Sequence, residues 1–464
     1  MGWLLFFSVV IIVIVIRVLK TNTITEYYDS GIVKSSGITR FGIRVGEFKY
    51  YDKNGFCYCV QKYSSGELIK KAYNLKFAHE EITSNREIIL QATKNNWLDL
   101  QYASDELRND REVVMEVVKN NCHALQFASN EIKDDPELLI ELLHVNHHSF
   151  VLEYASTKMK SNREFVIKII KNNGFAFKYA SDDLKNDREV VLEAVKNSAA
   201  ALKYASNDLQ NDRDVVMEAV KNEGDALQYA SDELKNDREL VMKAVKSVGW
   251  ALEYASDDLK NDRDLVLEVV KNEGDALQYA SDDLKNDREV VLEAVKNRAD
   301  AFKFASDDLK NDREFIIKAA KTNGYILEYA SRKFKKDRQV VMAAVKNSID
   351  NINDASRAWG YRQSAIEYAK RRLKNDREVI MEAVKNEGYA LKYASRRLKN
   401  DREVVMEAVK NEGSALAYAS RRLKNDREIV LEAIKFDKEA IQYASEEMKN
   451  DPEIVEALKG ENEK

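Results

Sequence analysis

The sequence has very few cysteines, which could cross-link the fold, and very few prolines, which would interrupt a helix. Its 464 residues include only two prolines and three cysteines, Cys57, Cys59 and Cys122. Three cysteines are too few for a disulfide framework, and no asparagine begins an Asn-x-Ser/Thr sequence. Both absences favour a reducing, cytosolic setting for most of the chain.

Charge of either sign is in little excess. The chain has 74 Lys and Arg against 79 Asp and Glu, a formal net charge of -5. This small value argues against attraction of the whole molecule to nucleic acid, although it leaves a local basic patch open. With 33% charged and 44% hydrophobic residues and almost no proline, the composition is typical of a long helical protein.

What the sequence does have is a repeat of 25 residues. An aromatic-Ala-Ser step marks each unit, as at Tyr254-Ala255-Ser256 and Tyr279-Ala280-Ser281. A fixed period of this size predicts an array in which each unit buries its apolar face against its neighbours. The aromatic positions are Phe77, Tyr102, Phe127, Tyr154, Tyr179, Tyr204, Tyr229, Tyr254, Tyr279, Phe304, Tyr329, Tyr368, Tyr393, Tyr418 and Tyr443.

Each unit is expected to be a hairpin of two short helices, about 11 and 10 residues long, which need stacking to be stable. Asp187 is placed to cap the first helix, and Pro136 and Pro452 stand at the first helical position in two other units. Glycines such as Gly224 and Gly274, near the end of that helix, are expected to be left-handed caps. Leu202 and Ala205 lie on the apolar face of the second helix.

These observations predict a mainly α protein whose array over residues 72–457 is an α-solenoid of about 16 helical hairpins, followed by a polar tail over 458–464. One of the 16 units is degenerate, at Asp354-Ala355-Ser356. The repeat, as in "ALKYASRRLKNDREVVMEAVKNEG", resembles the family described as domain of unknown function 4116, whose unit covers about two hairpins. That resemblance implies no activity, because the family has none assigned.

The N-terminus is a long apolar run. Residues 3–16 are apolar except for Ser8, and Arg17 and Lys20 follow. As a helix, residues 3–19 would extend about 25 Å, which can cross a hydrocarbon core of roughly 30 Å if the basic residues snorkel. We therefore expect a transmembrane anchor over residues 1–20, a single-pass membrane localisation and a cytoplasmic C-terminal domain. A cleaved signal peptide and a peripheral apolar helix are the alternatives.

Residues 21–71 have the pattern of β-hairpins. Tyr27-Tyr28-Asp29-Ser30-Gly31 is echoed by Tyr50-Tyr51-Asp52-Lys53-Asn54-Gly55, and more weakly after Tyr63. Aromatic pairs followed by a polar turn and glycine predict short hairpins. In "GEFKYYDKNG" and "YSSGELIKK" the segment resembles bacterial MORN-type repeats, which implies a small binding or structural module. A plain linker between anchor and array is the alternative. Cys57 and Cys59 are expected to be buried thiols rather than a metal pair.

A sign change along the array gives the candidate binding residues. The two residues after each aromatic-Ala-Ser step are mostly acidic up to Asp307-Asp308, become basic from Arg332-Lys333, and end acidic at Glu446-Glu447. Equivalent positions of a solenoid fall in a line, so we expect an acidic stripe and then a basic one. The candidate partner-binding residues are Asp257, Asp258, Asp282, Asp283, Arg332, Lys333, Arg371, Arg372, Arg396, Arg397, Arg421 and Arg422. Drift at solvated positions is the alternative.

The favoured function is a membrane-anchored, non-catalytic scaffold that binds protein partners through its repeat surface. Binding of nucleic acid or another anionic ligand by the Arg doublets is the first alternative. A metal-dependent enzyme using His144, His147 and His148 is a less favoured one. No nucleophile–base pair recurs, so we expect no catalytic, cofactor or metal site. The recurring tyrosines and Asp-Arg pairs are expected to serve packing, capping and ion pairing.

Overall fold

The computed structural model describes residues 21–40, 43–64, 67–145, 150–348 and 364–459. These residues divide into two compact units, Met1–Glu218 and Ala219–Lys464. The first unit contains a β-sheet and the N-terminal repeats, and the second contains the remaining repeats. The described chain is mainly helical, as the sequence predicts.

The N-terminal module is an antiparallel sheet of five strands that pair in chain order. The strands are β1 (Thr21–Tyr27), β2 (Val33–Arg40), β3 (Ile43–Tyr51), β4 (Cys57–Ser64) and β5 (Glu67–Tyr73). Gly31 and Gly55 have φ of 83° and 79° in two of the turns, which explains why glycine ends each Tyr-Tyr-Asp segment. The predicted β-hairpin module is thus confirmed.

The sheet packs on the first repeat through its last strand. The Tyr73 hydroxyl donates to Gln91 Oε1 at 2.8 Å, and Lys71 bonds the same oxygen. The buried Asp52 carboxylate in the β3–β4 turn accepts the backbone N–H of His79 at 2.5 Å. Leu75, in the connection between them, is 1% exposed. The sheet therefore covers the N-terminal end of the repeats.

Every repeat that the structure describes contains one long helix, which is the main core element. Its buried residues recur at helical spacing, as in Val190, Val191, Ala194 and Val195, which are all inaccessible to solvent. The described long helices are Arg86–Asn95, Arg111–Asn120, Pro136–Val145, Arg163–Asn172, Arg188–Asn197, Arg213–Asn222, Arg238–Ser247, Arg263–Asn272, Arg288–Asn297, Arg313–Thr322, Arg338–Lys346, Arg377–Asn386, Arg402–Asn411, Arg427–Phe436 and Pro452–Lys459.

The predicted second helix is wrong, because two elements take its place. The first is a 3-10 helix that ends at the recurring aromatic residue, and it is a single α-turn at Val151–Tyr154 and Ala365–Tyr368. The described 3-10 helices of this kind are Trp97–Tyr102, Cys122–Phe127, Gly174–Tyr179, Ala199–Tyr204, Gly224–Tyr229, Gly249–Tyr254, Gly274–Tyr279, Ala299–Phe304, Gly324–Glu328, Gly388–Tyr393, Gly413–Tyr418 and Lys438–Tyr443.

The second element is a short helix that begins after the serine. Ala255 and Ser256 are extended between the two, and Ser256 Oγ accepts the backbone N–H of Leu259 at 3.3 Å. This N-cap ends one helix and starts the next. The short elements are α-helical at Glu80–Thr83, Asp105–Arg108, Asn130–Lys133, Thr157–Lys160, Asp182–Lys185, Asn207–Gln210, Asp257–Lys260, Asp282–Lys285, Asp307–Asn311 and Glu446–Lys449, and 3-10 at Leu234–Asn236, Phe334–Lys336, Leu373–Asn375, Leu398–Asn400 and Leu423–Asn425.

The role predicted for the array glycines is also wrong. Among the described glycines only Gly31, Gly46 and Gly55 have positive φ, and none of these lies in the array. Gly274 instead begins a 3-10 helix, where an added Cβ would lie 2.4 Å from the carbonyl oxygen of Ala294 in the next repeat. Glycine is needed there because two backbones approach closely.

The described residues contain 15 long helices, one for each predicted unit other than the degenerate one. The degenerate unit at Asp354 lies outside the described residues, but the repeats on either side are direct neighbours. Arg338 Nε donates to Asp376 Oδ2 at 2.8 Å, 38 residues along the chain. The equivalent bond from Arg313 to Asp337 spans 24 residues at 2.6 Å.

The fold class inferred from sequence included a transmembrane helix over residues 1–20, and this part is wrong for the described fold. None of the helices in the described ranges is long and apolar enough to cross a membrane. The long helix Arg238–Ser247, with 10 residues, extends about 15 Å, half of the hydrocarbon core. Residues 1–20 themselves lie outside the described ranges. The single-pass localisation and cytoplasmic placement depended on that helix and stay predictions.

Candidate functional site

The charged doublets lie at the start of the short elements, directly after the capping serine. All 12 candidate residues predicted from sequence are exposed. In most acidic repeats the doublet begins an α-helix, where carboxylates favour the positive end of the peptide dipoles. In the basic repeats the short element is a 3-10 helix that starts one residue after the doublet. The acidic doublet Asp232-Glu233 is also followed by a 3-10 helix, so the sign of the charge does not by itself determine the local structure.

In the acidic repeats, one carboxylate of each doublet is paired within its own repeat. Lys260 Nζ lies 3.9 Å from Asp257, and Lys285 Nζ lies 3.8 Å from Asp282. These carboxylates are fully exposed, so the pairs contribute little to stability. Each acidic repeat is left with one further aspartate, Asp258 or Asp283, that has no ionic partner among the described residues.

In the basic repeats, the equivalent lysine turns inward. Lys399 Nζ donates to the carbonyl of Lys392 at 2.6 Å, and Lys424 Nζ donates to that of Ala417 at 2.7 Å. Burial lowers the pKa of both lysines. Because arginine replaces the aspartate that would pair with it, the lysine instead satisfies the end of the preceding 3-10 helix.

The second arginine of a basic doublet ties two repeats together. Arg397 Nη2 donates to the carbonyl oxygen of Asn375 at 3.0 Å, and Arg422 makes the same bond to Asn400 at 3.0 Å. Both guanidinium groups also bond the Asn side-chain oxygen, at 3.3 and 3.0 Å. These arginines thus have a structural role, which the sequence pattern did not indicate.

The first arginine of each basic doublet has no such role. Arg371, Arg396 and Arg421 are exposed and make no hydrogen bond or ion pair with any described residue. They recur once per repeat. In each repeat the neighbouring lysine bonds a backbone carbonyl, and at Arg397 and Arg422 the second arginine bonds the preceding repeat. These three guanidinium groups are therefore exposed cations without a counter-ion among the described residues.

The arginines at the start of the long helices are different, because they form an inter-repeat ladder. Arg238 Nε donates to Asp262 Oδ2 at 2.6 Å, and this hydrogen bond lowers the pKa of Asp262. Asp262 also caps its own helix by accepting the N–H of Leu265 at 2.9 Å. Arg377 likewise bonds Asp401, at 3.0 Å. The predicted capping and ion-pairing role of the Asp-Arg pairs is confirmed.

The recurring tyrosines are packing residues with bonded hydroxyls. Tyr393 is half-buried and donates to Glu367 Oε2 at 2.7 Å. The ring of Tyr418 meets Tyr389 edge-on, with centroids 5.3 Å apart. Burial and the Glu367 carboxylate raise the pKa of Tyr393. The rings therefore pack between the 3-10 helices of neighbouring repeats, as expected.

Two predictions about other residues have different outcomes. His147 and His148 lie outside the described residues, as does the side chain of His144, so the metal alternative stays untested. Within the part of the chain that the structure describes, no three His, Cys, Asp or Glu groups converge to hold a metal ion. Cys57 is half-buried and Cys59 is buried, and burial raises the pKa of both thiols, to about 11 for Cys59.

Sequence reasoning missed two lysines, Lys336 and Lys370. In most repeats the capping serine hydroxyl donates to an asparagine of the preceding repeat, as Ser395 does to Asn375 at 2.7 Å. Lys370 occupies this serine position and Lys336 this asparagine position. The signal was visible, since "YAK" replaces "YAS" and "KKD" replaces "KND". Its meaning depends on knowing that the two positions touch.

Repeats of a long helix, a 3-10 helix and a short helix, tied to their neighbours within each unit, define a helical-repeat protein. The family model described as "Domain of unknown function (DUF4116)" matches most of the chain, and its longer matches cover two repeats each. The chain belongs to this family. The matched residues are 66–108, 110–160, 135–185, 162–210, 187–235, 212–260, 262–310, 312–358, 361–399, 376–424, 401–449 and 426–458.

The comparisons add no named activity. No curated protein matches this chain. The family matches begin at residue 66, so they leave the MORN-type resemblance of the sheet as a prediction.

Proposed function

We propose that this protein is a non-catalytic repeat scaffold that binds an acidic segment of a protein partner along its basic face. We define the basic face as the doublets Arg332-Lys333, Arg371-Arg372, Arg396-Arg397 and Arg421-Arg422. The observation that carries the proposal is that Arg371, Arg396 and Arg421 are exposed and lack a counter-ion among the described residues. The ladder arginines, by contrast, are paired.

The spacing of the exposed arginines of the basic face favours an extended peptide. Packed helices lie about 8–10 Å apart, so successive repeats present an arginine at about that interval. An extended chain rises about 3.3 Å per residue, and three residues therefore match one repeat. A segment with Asp or Glu at every third position would place one carboxylate beside each free guanidinium. Arginine is suited to this because its planar donors bind a carboxylate in bidentate fashion.

Nucleic acid fits this face less well. Single strands bind basic grooves that also offer aromatic faces for base stacking. The tyrosines beside the basic face are engaged instead, since the Tyr393 hydroxyl bonds Glu367 and the Tyr418 ring meets Tyr389. A protein segment is therefore the preferred partner.

Peptide binding tests the proposal. A labelled peptide with Asp at every third position is titrated with the full chain near physiological salt, and fluorescence anisotropy is recorded. The triple variant Arg371→Asp, Arg396→Asp, Arg421→Asp is expected to bind at least about 10-fold more weakly, because like charges then face each other. Asp stands at this position in the acidic repeats, so the fold should accept it.

A matched control separates the basic face from net charge. Lys168, Lys243 and Lys318 are exposed on long helices where other repeats have glutamate, so changing all three to Glu alters the net charge equally. This control should bind like the parent protein. Equal loss in both variants, or tighter binding of a single-stranded RNA of the same charge, would contradict the proposal. So would concentration-dependent self-association abolished by the Arg variant, since the partner would then be a second copy.

A further inference from the structure

One junction between repeats departs from the bonding of its neighbours. In most of the described repeats the capping serine reaches back to an asparagine, as in Ser256 to Asn236 at 2.6 Å and Ser420 to Asn400 at 2.7 Å. At the junction between the helices Arg338–Lys346 and Arg377–Asn386, both positions are lysines. The backbone contact survives, because the N–H of Lys370 donates to the carbonyl of Lys335 at 3.0 Å. Two cations therefore replace a hydrogen-bonded polar pair.

The same replacement removes one of the two acceptors of a neighbouring arginine, the asparagine side-chain oxygen, which Arg397 and Arg422 bond in addition to the backbone carbonyl. Arg397 and Arg422 each bond the asparagine of the preceding repeat. Arg372 is their equivalent, but Lys336 stands where that asparagine would be, and a lysine side chain accepts no hydrogen bond. Lys336, Lys370, Arg371 and Arg372 thus form a junction cluster of four cations. Lys335 lies beside it, and burial and the charge of Lys370 lower its pKa.

The aspartates that precede the two long helices of this junction are committed to other partners. Asp337 accepts from Arg313 at 2.6 Å, and Asp376 accepts from Arg338 at 2.8 Å. None of the described carboxylates pairs with a member of the junction cluster. Gathering like charges at a site that elsewhere holds a neutral bonded pair is unfavourable without an anion. The arrangement is that of an anion site built into a repeat junction.

We propose that the junction cluster binds a phosphate monoester on the acidic partner segment, so that this one junction reads a phosphorylated side chain. The inference rests on the proposed function and adds to it. A phosphate monoester carries about -1.5 to -2 charges and three acceptor oxygens at neutral pH. One carboxylate, with two oxygens and one charge, suits the single free arginine of an ordinary basic repeat. The cluster, with two lysines and two arginines, suits the larger charge.

The test compares three forms of one acidic peptide, with a central serine, phosphoserine or glutamate. The full chain is expected to bind the phosphoserine form about 10-fold more tightly than the serine form. The double variant Lys336→Asn, Lys370→Ser restores the serine–asparagine pair of the other repeats and should fold. It is expected to lose the preference for phosphoserine while still binding the serine peptide.

A transfer variant checks that the lysines themselves carry the preference. Adding Asn400→Lys and Ser420→Lys to the double variant moves the pair to another basic junction and should restore the preference. The inference fails if Lys336→Asn, Lys370→Ser keeps the preference, or if the glutamate peptide binds as tightly as the phosphoserine one. If the serine peptide does not bind but a lysine-dependent phosphoserine complex forms, the phosphate site stands and the proposed function falls.

Discussion

At the residue scale, short-range chemistry could be predicted and close backbone contact could not. The aspartate N-caps and the prolines at the first helical position are where the sequence places them, as Asp451 and Pro452 show. A cap depends on residues next to each other in the chain. The requirement for glycine at position 274 comes from a carbonyl group 20 residues further along the chain. In the sequence, a glycine that caps a helix cannot be distinguished from one that allows a close backbone contact.

The first prediction concerns this close contact. Gly274→Ala should lower the stability of the full chain by about 1–3 kcal/mol, since the methyl group must push away the Ala294 carbonyl. The measurement is the urea midpoint followed by circular dichroism. Ala299 naturally occupies the equivalent position of the next repeat, so Ala299→Gly is the control, with a cost below about 1 kcal/mol. A Gly274→Ala protein as stable as the parent would show that the contact relaxes freely.

At the scale of the element, the sequence predicts the long helix well and the second helix poorly. The long helix has a cap at one end and four or five buried positions at helical spacing. The second segment carries the same apolar spacing but also an Ala-Ser step, where the serine hydroxyl competes for the backbone. Capping by the serine is favoured there over continuation of one helix. The segment is therefore divided into a 3-10 helix and a short helix.

The second prediction separates capping from ion pairing at Asp262. The folded-state pKa of this carboxyl lies below its unfolded value of about 3.9, so the ion pair stabilises the fold above about pH 4 and is lost as the pH falls through the folded value. Asp262→Asn keeps a capping oxygen but loses the charge, and Asp262→Ala loses both. At pH 7 the urea midpoints should fall in the order parent, Asn, Ala.

The pH dependence supplies the control for this prediction. As the pH falls through the lowered folded-state pKa of Asp262, the parent and Asp262→Asn should converge, whereas Asp262→Ala should remain about 1 kcal/mol less stable because its cap is missing. A constant gap between parent and Asn variant from pH 7 to pH 3 would mean that the bond from Arg238 contributes nothing through its charge.

At the scale of the whole molecule, the repeat period predicts the family and the repeats that lie among the described residues. The direct bond from Arg338 to Asp376 was not visible in the spacing, because the degenerate unit at Asp354 separates the two residues in the sequence. The exposed charged doublets were also predictable, because position in the repeat determines exposure. The junction cluster was not, because its meaning depends on which positions of neighbouring repeats touch.

The third prediction concerns the extra 14 residues between these neighbours. Deleting residues 349–362 and changing Gln363 to Gly gives the connection the length and the glycine found elsewhere. The variant should keep its helical content, and its thermal midpoint should not fall, since shortening a loop lowers its closure entropy only modestly. Deleting 14 residues from the ordinary repeat at 250–263 is the control and should unfold that region. A large loss of helix in the first variant would contradict the direct stacking.

The sheet that covers the first repeat has a consequence for how copies of the chain meet. A repeat array exposes at each end a surface shaped to accept another repeat, and head-to-tail contact between such ends would grow into open filaments. Tyr73 and Lys71 occupy the side of the first long helix that a preceding repeat would otherwise fill, through their bonds to Gln91. The β-sheet thus terminates the repeat at one end, and a chain lacking it should polymerise through the exposed first helix.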